Sequence, residues 1–87
     1  MNTTTANETK DLLIRALYSA KAEFKEASAN YVTAENNVED FKCDRSATAA
    51  DKAEAAEQFN AACKRYDAAE AVYEKTRLLC LALGFIN

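Results

Sequence analysis

Apolar residues recur along the first half of this chain at alternating steps of four and three residues. They are Leu13, Leu17, Ala20, Phe24, Ala27, Tyr31, Ala34, Val38 and Phe41. The second half repeats these steps through Ala55, Phe59, Ala62, Tyr66, Ala69, Tyr73, Thr76, Cys80 and Leu83. Such steps keep one stripe of an α-helix turned toward a partner helix, as in coiled coils. The pattern therefore predicts two long helices, each with one apolar seam.

The two seams fit each other when the chain folds back near Ser46. An antiparallel alignment places Ala34 opposite Phe59 and Ala27 opposite Tyr66, and most other layers also pair a large residue with a small one. Close packing of two helices at native density requires such pairs. We predict an all-α fold with one domain over residues 1–87. It is a coiled-coil-like hairpin of two long antiparallel helices, and a dimer of it would be a four-helix bundle.

The first helix is predicted over about residues 6–43. Thr5 and Glu8 have the spacing of a capping box, in which each side chain accepts a hydrogen bond from a backbone N–H at the helix start. One uninterrupted helix through the whole chain is an alternative, but it would place Arg45 and Thr48 in the apolar seam. A bundle of shorter helices is disfavoured because neither half of the chain has a glycine or proline near its middle.

A turn over residues 44–48 is predicted to join the helices. The candidates for the N-cap of the second helix are Asp44, Ser46 and Thr48. We prefer Ser46, which puts the second helix at about residues 47–83. Gly84 then follows as the left-handed residue that ends many helices.

Composition agrees with a small helical fold. The chain of 87 residues has no proline and one glycine, and 49% of its residues are hydrophobic. Long helices favour this composition, whereas turns and strands need more chain breakers. A chain of this length buries only about 60–65% of its unfolded surface, so it forms one domain with a small core.

The formal net charge of −3 is unevenly distributed. Residues 35–57, which surround the predicted turn, carry seven acids and three bases, a net charge of −4. The acids of this acidic tip are Glu35, Glu39, Asp40, Asp44, Asp51, Glu54 and Glu57. They form either a solvated surface or a patch for a basic partner. Their sign argues against direct nucleic-acid binding.

The end of the hairpin that holds both termini, the open end, carries more apolar residues than its seam uses. These residues are Leu12, Ile14, Tyr18, Leu78, Leu79, Leu81, Phe85 and Ile86. A contiguous apolar patch marks a surface for another protein. We expect either a different protein or a second copy in a homodimer to cover it. The alternative is that Phe85 and Ile86 fold back over the patch within one chain.

The sequence holds no group that points to catalysis. It has no histidine, the commonest general base and metal ligand. Cys43, Cys63 and Cys80 are widely spaced, and one glycine cannot make a phosphate-binding loop. Glutamates four residues apart, such as Glu35 and Glu39, belong to solvated helix faces. We therefore predict a protein that is not an enzyme and binds no cofactor or metal.

The cysteines and the apolar runs favour a reduced, cytoplasmic protein. An odd number of cysteines without a CxxC motif is unlike a secreted disulfide scaffold. The polar N-terminus is followed by no apolar leader segment, and the longest apolar run, residues 78–83, has six residues. We expect neither a leader nor a membrane span.

A small, acidic, alanine-rich helical chain without catalytic groups resembles in character the accessory proteins of bacteriophages and mobile elements. That resemblance implies a non-enzymatic protein-binding factor. Its most concrete form is a small inhibitor or modulator of a larger host enzyme or nucleoprotein complex. One alternative is a structural subunit or spacer that forms a homo-oligomer. Another is an acidic mimic of nucleic acid that competes for a basic groove.

Overall fold

Two long helices account for almost all of the chain. The computed structural model describes residues 2–86, with side chains described for residues 7–86. Helix α1 spans Asn2–Cys43 and helix α2 spans Ala49–Ala82. The helices pack against each other in opposite directions, and the Cα atoms extend over 67 × 20 × 13 Å. The fold is therefore the all-α helical hairpin that the two seams predict.

Helix α1 begins earlier than predicted. It starts at Asn2, so Thr5 lies inside the helix and the prediction of Thr5 as the N-cap is wrong. No glycine or proline precedes Thr5, so nothing in the backbone stops the helix there. The side chain of Thr5 lies outside the described residues.

Helix α2 is capped by Thr48, and the prediction of Ser46 is wrong. The Thr48 hydroxyl accepts from the Asp51 N–H at 3.1 Å, and the Asp51 carboxylate accepts from the Thr48 N–H at 3.1 Å. Ser46 instead donates its N–H and its hydroxyl to Asp44 Oδ1 at 2.8 and 2.6 Å. The residue three positions after Ser46 is Ala49, which has no side-chain oxygen to accept from the Ser46 N–H and complete a capping box. The carboxylate of Asp51 therefore makes Thr48, and not Ser46, the N-cap of α2.

Helix α2 ends in a Schellman motif. Leu83 is the C-cap, and Gly84 has the left-handed φ of 74° that was predicted for it. The Gly84 N–H donates to the Leu81 carbonyl at 3.1 Å, and the Phe85 N–H donates to the Cys80 carbonyl at 2.9 Å. These two bonds satisfy carbonyls that the end of a helix would otherwise leave unpaired.

Small residues form the buried centre of the hairpin. The buried hydrophobic residues are Ala20, Ala27, Ala34, Ala55, Ala62, Ala69 and Cys80. The buried thiol of Cys80 lies 3.7 Å from the Leu13 carbonyl, which fixes the predicted antiparallel register at the open end. Because alanine has a short side chain, the two backbones can approach closely along the whole seam.

The larger seam residues form a continuous row of rings. Phe24 contacts Tyr66 at 5.3 Å and Tyr73 at 5.6 Å between ring centroids. Tyr31 contacts Phe59 at 5.4 Å and Tyr66 at 5.5 Å. Tilted and edge-to-face ring pairs add to the free energy gained from burial. The aromatic residues of the two helices thus pack on each other across the seam.

Leu83 does not belong to the packed seam as predicted. Its side chain is 50% exposed. The contact between Cys80 and Leu13 places Leu83 level with Lys10, so α1 offers it no apolar partner there. The packed seam therefore ends near Cys80.

Over the part of the chain that the structure describes, no helix combines the length and apolarity needed to cross a membrane.

Candidate interaction surfaces

Five of the eight predicted open-end residues are exposed. Leu12 and Tyr18 of α1 are 66% and 67% exposed, and Leu78 of α2 is 55% exposed. Leu79 and Leu81 are exposed to 44% and 37%. A single exposed leucine is common on protein surfaces, but five large apolar side chains exposed near one end of a hairpin indicate an interaction surface.

The other three predicted residues, Ile14, Phe85 and Ile86, are half-buried. The chain turns at Gly84, and the Phe85 N–H donates back to Cys80, so the C-terminus bends toward the last turn of α2. This folding back shields Phe85 and Ile86 but leaves Leu78 and Leu79 open to solvent.

The open-end residues are not all on one face. Ser19 of α1 and Val72 of α2 line the same groove between the two helices. Leu12 precedes Ser19 by seven residues and Leu79 follows Val72 by seven, so both leucines lie on this groove side of the hairpin. Tyr18 lies two residues from the groove residue Ala16, about 200° around the helix.

Ile14 and Leu81 share the side of Tyr18. Ile14 lies two residues before Ala16, and Leu81 two residues after Leu79, so both are again about 200° from the groove side. The structure therefore divides the predicted patch into a groove side and an opposite side.

The seven predicted acids of the tip are all exposed. Two of them build the turn: Asp44 accepts both bonds from Ser46, and Asp51 completes the cap of α2. The bonds from Ser46 hold the pKa of Asp44 below its usual value. Glu39 lies 3.4 Å from Lys42, and Glu54 accepts from Gln58 at 3.5 Å. Asp44 and Asp51 therefore have structural roles independent of any partner.

A groove floored by alanine runs along one face of the hairpin. Its three successive hollows have volumes of about 490, 390 and 250 Å³ from the open end toward the tip. Neighbouring hollows share Arg65, and then Asn37 and Gln58. We call it the alanine groove. Its floor consists of the seam residues Ala20, Ala34, Ala62 and Ala69. It forms because alanine does not fill the space between the helices on this side.

The walls of the alanine groove change in character along its length. The hollow nearest the open end is walled mainly by small and apolar residues, including Ala16, Ser19, Ala68 and Val72. The middle hollow is walled by uncharged polar side chains, including Asn30, Thr33, Asn37 and Gln58. The third hollow, at the tip, contains Asp51 and Glu54.

An ion pair across the groove separates its apolar part from its polar part. Arg65 donates from Nη2 and Nε to the two carboxylate oxygens of Glu23, at 2.8 and 3.0 Å. Glu26 lies 3.6 Å from the same guanidinium, and its side chain is 74% exposed. The hydrogen bond from Arg65 lowers the pKa of Glu23, and the same bond raises the pKa of Arg65. This paired geometry is the strongest polar contact that guanidinium and carboxylate make.

The cysteines and the carboxylates of the described residues are dispersed along the hairpin. Among the residues that the structure describes, no three Cys, Asp or Glu side chains are grouped to hold a metal ion. Cys43 is exposed, Cys63 half-buried and Cys80 buried. Burial, together with the nearby charge of Glu35, raises the pKa of Tyr31, which keeps its phenol protonated.

Sequence reasoning missed the alanine groove. The signal was present, since alanine takes every second seam position through the middle of both helices. No protein-family model, curated protein or solved structure matches this chain.

Proposed function

We propose that this chain is a non-enzymatic protein-binding factor. In its most concrete form it is a small inhibitor or modulator of a larger host enzyme or nucleoprotein complex, of the kind that phages and mobile elements encode. The observation that supports this proposal is the exposure of Tyr18 and Leu81, two large apolar side chains on the side of the open end opposite the groove.

The contact site is the side of the open end that carries Tyr18. Tyr18 and Leu81 are exposed, and Ile14 beside them is half-buried. Tyrosine is enriched among the residues that contribute most to binding, because it offers a large rigid surface and one polar atom. A partner with a shallow apolar pocket would cover Tyr18 and Leu81 together.

Site-specific photocrosslinking tests this proposal. The photoreactive amino acid p-benzoylphenylalanine replaces Tyr18 in cells that express the chain, and the adduct is identified by mass spectrometry. The same amino acid at Asn60, an exposed residue at mid-length on α2, is the matched control. We expect one abundant adduct from position 18 that position 60 does not give.

Binding to the purified partner then tests the residues. Tyr18→Asp combined with Leu81→Asp should weaken binding at least about tenfold, since it puts two charges into a desolvated contact. Asn60→Asp combined with Ala53→Asp adds the same two charges at exposed positions elsewhere and should leave the affinity unchanged. A double variant that is folded and binds as tightly as the parent chain would refute the proposed site. If the partner is an enzyme, its rate with and without the chain measures inhibition directly.

A further inference from the structure

We infer that a second copy of this chain occupies the alanine groove, and that a two-fold axis running along the groove relates the two copies. The inference concerns the face opposite Tyr18 and Leu81, so it does not rest on the proposed function. One face would thus form a four-helix dimer while the other remained open to a different protein.

A two-fold axis along the groove requires that its two walls complement each other. A two-fold axis along it lays α1 of one copy over α2 of the other, at the same distance from the turn. The two walls of a single groove must then be complementary to each other, because each wall meets a copy of the opposite wall. The groove meets this demand in its apolar, charged and amide sections.

The walls match section by section. Near the open end, Ala16 and Ser19 lie across the groove from Val72. At mid-length Glu23 lies across from Arg65, to which it is bonded. Toward the tip, Asn37 shares a hollow with Gln58. A second copy laid over this face would therefore meet apolar surface with apolar surface, carboxylate with guanidinium, and amide with amide.

In the charged section, the carboxylate of Glu26 is only loosely paired within one hairpin. Arg65 is bonded to Glu23 at 2.8 Å, while Glu26 lies farther away at 3.6 Å and is 74% exposed. In the dimer, Glu26 of each copy lies over Arg65 of the second copy. Two guanidinium groups and four carboxylates then lie together, and each guanidinium pairs with carboxylates of both copies.

A two-fold axis across the groove would give a poorer fit. It would reverse one hairpin, lay α1 over α1 and place the apolar section of one copy on the amide section of the other. The axis along the groove instead brings the two acidic tips side by side, which costs some repulsion. That repulsion is small, because the tip acids are exposed and salt screens such charges within about 8–10 Å.

The face is large enough for a stable dimer. From Leu12 to Asn37 the groove side of α1 extends roughly 40 Å at about 1.5 Å per residue. With the 20 Å width of the hairpin, the face covers an area on the order of 800 Å² per copy. That is the per-partner area of a standard specific interface. Lys75, seven residues after Ala68, lies at the edge of this face, where its ammonium group can reach water.

The first test compares two identical substitutions. Ala16→Glu puts a charge on the apolar wall of the groove. Ala53→Glu puts the same charge on an exposed position of α2, two residues before the buried Ala55 and so about 200° around the helix from the seam. By sedimentation equilibrium we expect the parent chain and Ala53→Glu to be dimeric at micromolar concentration. Ala16→Glu should raise the dimer dissociation constant at least about tenfold with unchanged helical circular dichroism.

The second test measures the direction of the axis. Cys43 is exposed at the tip, so a spin label there reports the distance between the tips of two copies. In a Cys63→Ser background, with Cys80 buried, we expect a label distance under about 35 Å, since neighbouring helices pack 8–10 Å apart. An axis across the middle of the groove, near residue 24, would separate the labels by about 55 Å, since each Cys43 lies 19 residues from that axis at about 1.5 Å per residue.

Each contrary outcome overturns the inference. A parent chain that is monomeric at 100 µM under reducing conditions has no second copy in its groove. A dimer that Ala16→Glu leaves intact uses another face, and a long label distance excludes the axis along the groove. If the chain is monomeric and a photocrosslinker at Ser19 captures a different protein, the groove binds that protein instead of a second copy. None of these outcomes affects the crosslinking result at Tyr18.

Discussion

Arg65 and Glu23, 42 residues apart in the sequence, are joined by two parallel hydrogen bonds at 2.8 and 3.0 Å. They form a long-range ion pair at mid-length of the hairpin, and both side chains are partly exposed. Exposed ion pairs usually contribute little, but a two-pronged arginine pair with fixed geometry is the exception. Since it connects α1 to α2, the pair also helps to define their register.

Arg65→Lys should lower the melting temperature although it keeps the charge. A lysine ammonium cannot donate to both oxygens of Glu23 in the planar arrangement that arginine uses. Lys64→Arg, at the neighbouring exposed position, is the control and should leave the melting temperature unchanged. Thermal denaturation followed by circular dichroism at low salt measures both. Equal melting temperatures for Arg65→Lys and the parent chain would show that the paired geometry contributes nothing.

Acidification should remove the contribution of Glu23. Its pKa in the folded chain is lowered from 4.5, chiefly by the hydrogen bond from Arg65. A lowered pKa gives stability that is fully present above the ordinary value and is lost as the pH falls through the folded-state pKa. Glu23→Gln should therefore be less stable than the parent chain at pH 7, and the difference should shrink toward pH 3. Urea titrations at the two pH values measure it. A constant difference would assign the effect of Glu23→Gln to packing.

Ala27→Leu should destabilise the hairpin by about 1–3 kcal/mol. Ala27 is 0% exposed and lines none of the three hollows of the alanine groove, so the site has no room for three more carbon atoms. Ala29→Leu, at an exposed position two residues from Ala27, is the matched control. Its free energy of unfolding should change by less than about 0.5 kcal/mol. Urea denaturation distinguishes these outcomes, and an increase in stability from Ala27→Leu would contradict the close approach of the helices.

Thr48→Ala should destabilise the chain by about 1 kcal/mol, within the range found for N-caps. The substitution removes the hydroxyl that accepts from the Asp51 N–H and breaks the capping box. Thr48→Ser keeps the hydroxyl and should retain most of the stability. Ser46→Ala removes the hydroxyl bond to Asp44 but keeps the backbone N–H bond, so it should instead raise the pKa of Asp44 part of the way to its usual value. A larger loss of stability from Ser46→Ala than from Thr48→Ala would restore Ser46 as the cap.

The sequence predicts the pairing of the helices better than their ends. Seam residues such as Ala27 and Tyr66 are fixed by a periodicity repeated over many turns, so one exception does not change the fold. The cap of α2 depends on two hydrogen bonds between Thr48 and Asp51, and Thr48 is the cap instead of Ser46 because Asp51 stands three residues after it. Helix ends are decided by such local contacts, which the periodic pattern does not contain.

The interaction surfaces were only partly predictable for a geometric reason. The pattern identified apolar residues outside the seam, but Leu12 and Tyr18 were grouped by their nearness along the chain. Six residues separate them, which places them about 120° apart and turns only Leu12 to the groove side. The groove itself arises from what the seam lacks, since alanine at positions such as Ala20 and Ala69 leaves space unfilled. A search for large residues overlooks such a site.

Gly84→Ala should destabilise the end of α2 by about 1 kcal/mol, because an L-residue is disfavoured in the left-handed conformation. Gly84 has a φ of 74°, and a Cβ atom built on it would meet no atom within 4 Å. The cost is therefore conformational and not steric. Gly84→Asn should cost less, since asparagine tolerates this conformation. Equilibrium unfolding in urea, together with hydrogen exchange of the Phe85 amide that donates to Cys80, measures the effect. Equal stability for Gly84→Ala and the parent chain would mean that the Schellman motif does not form in solution.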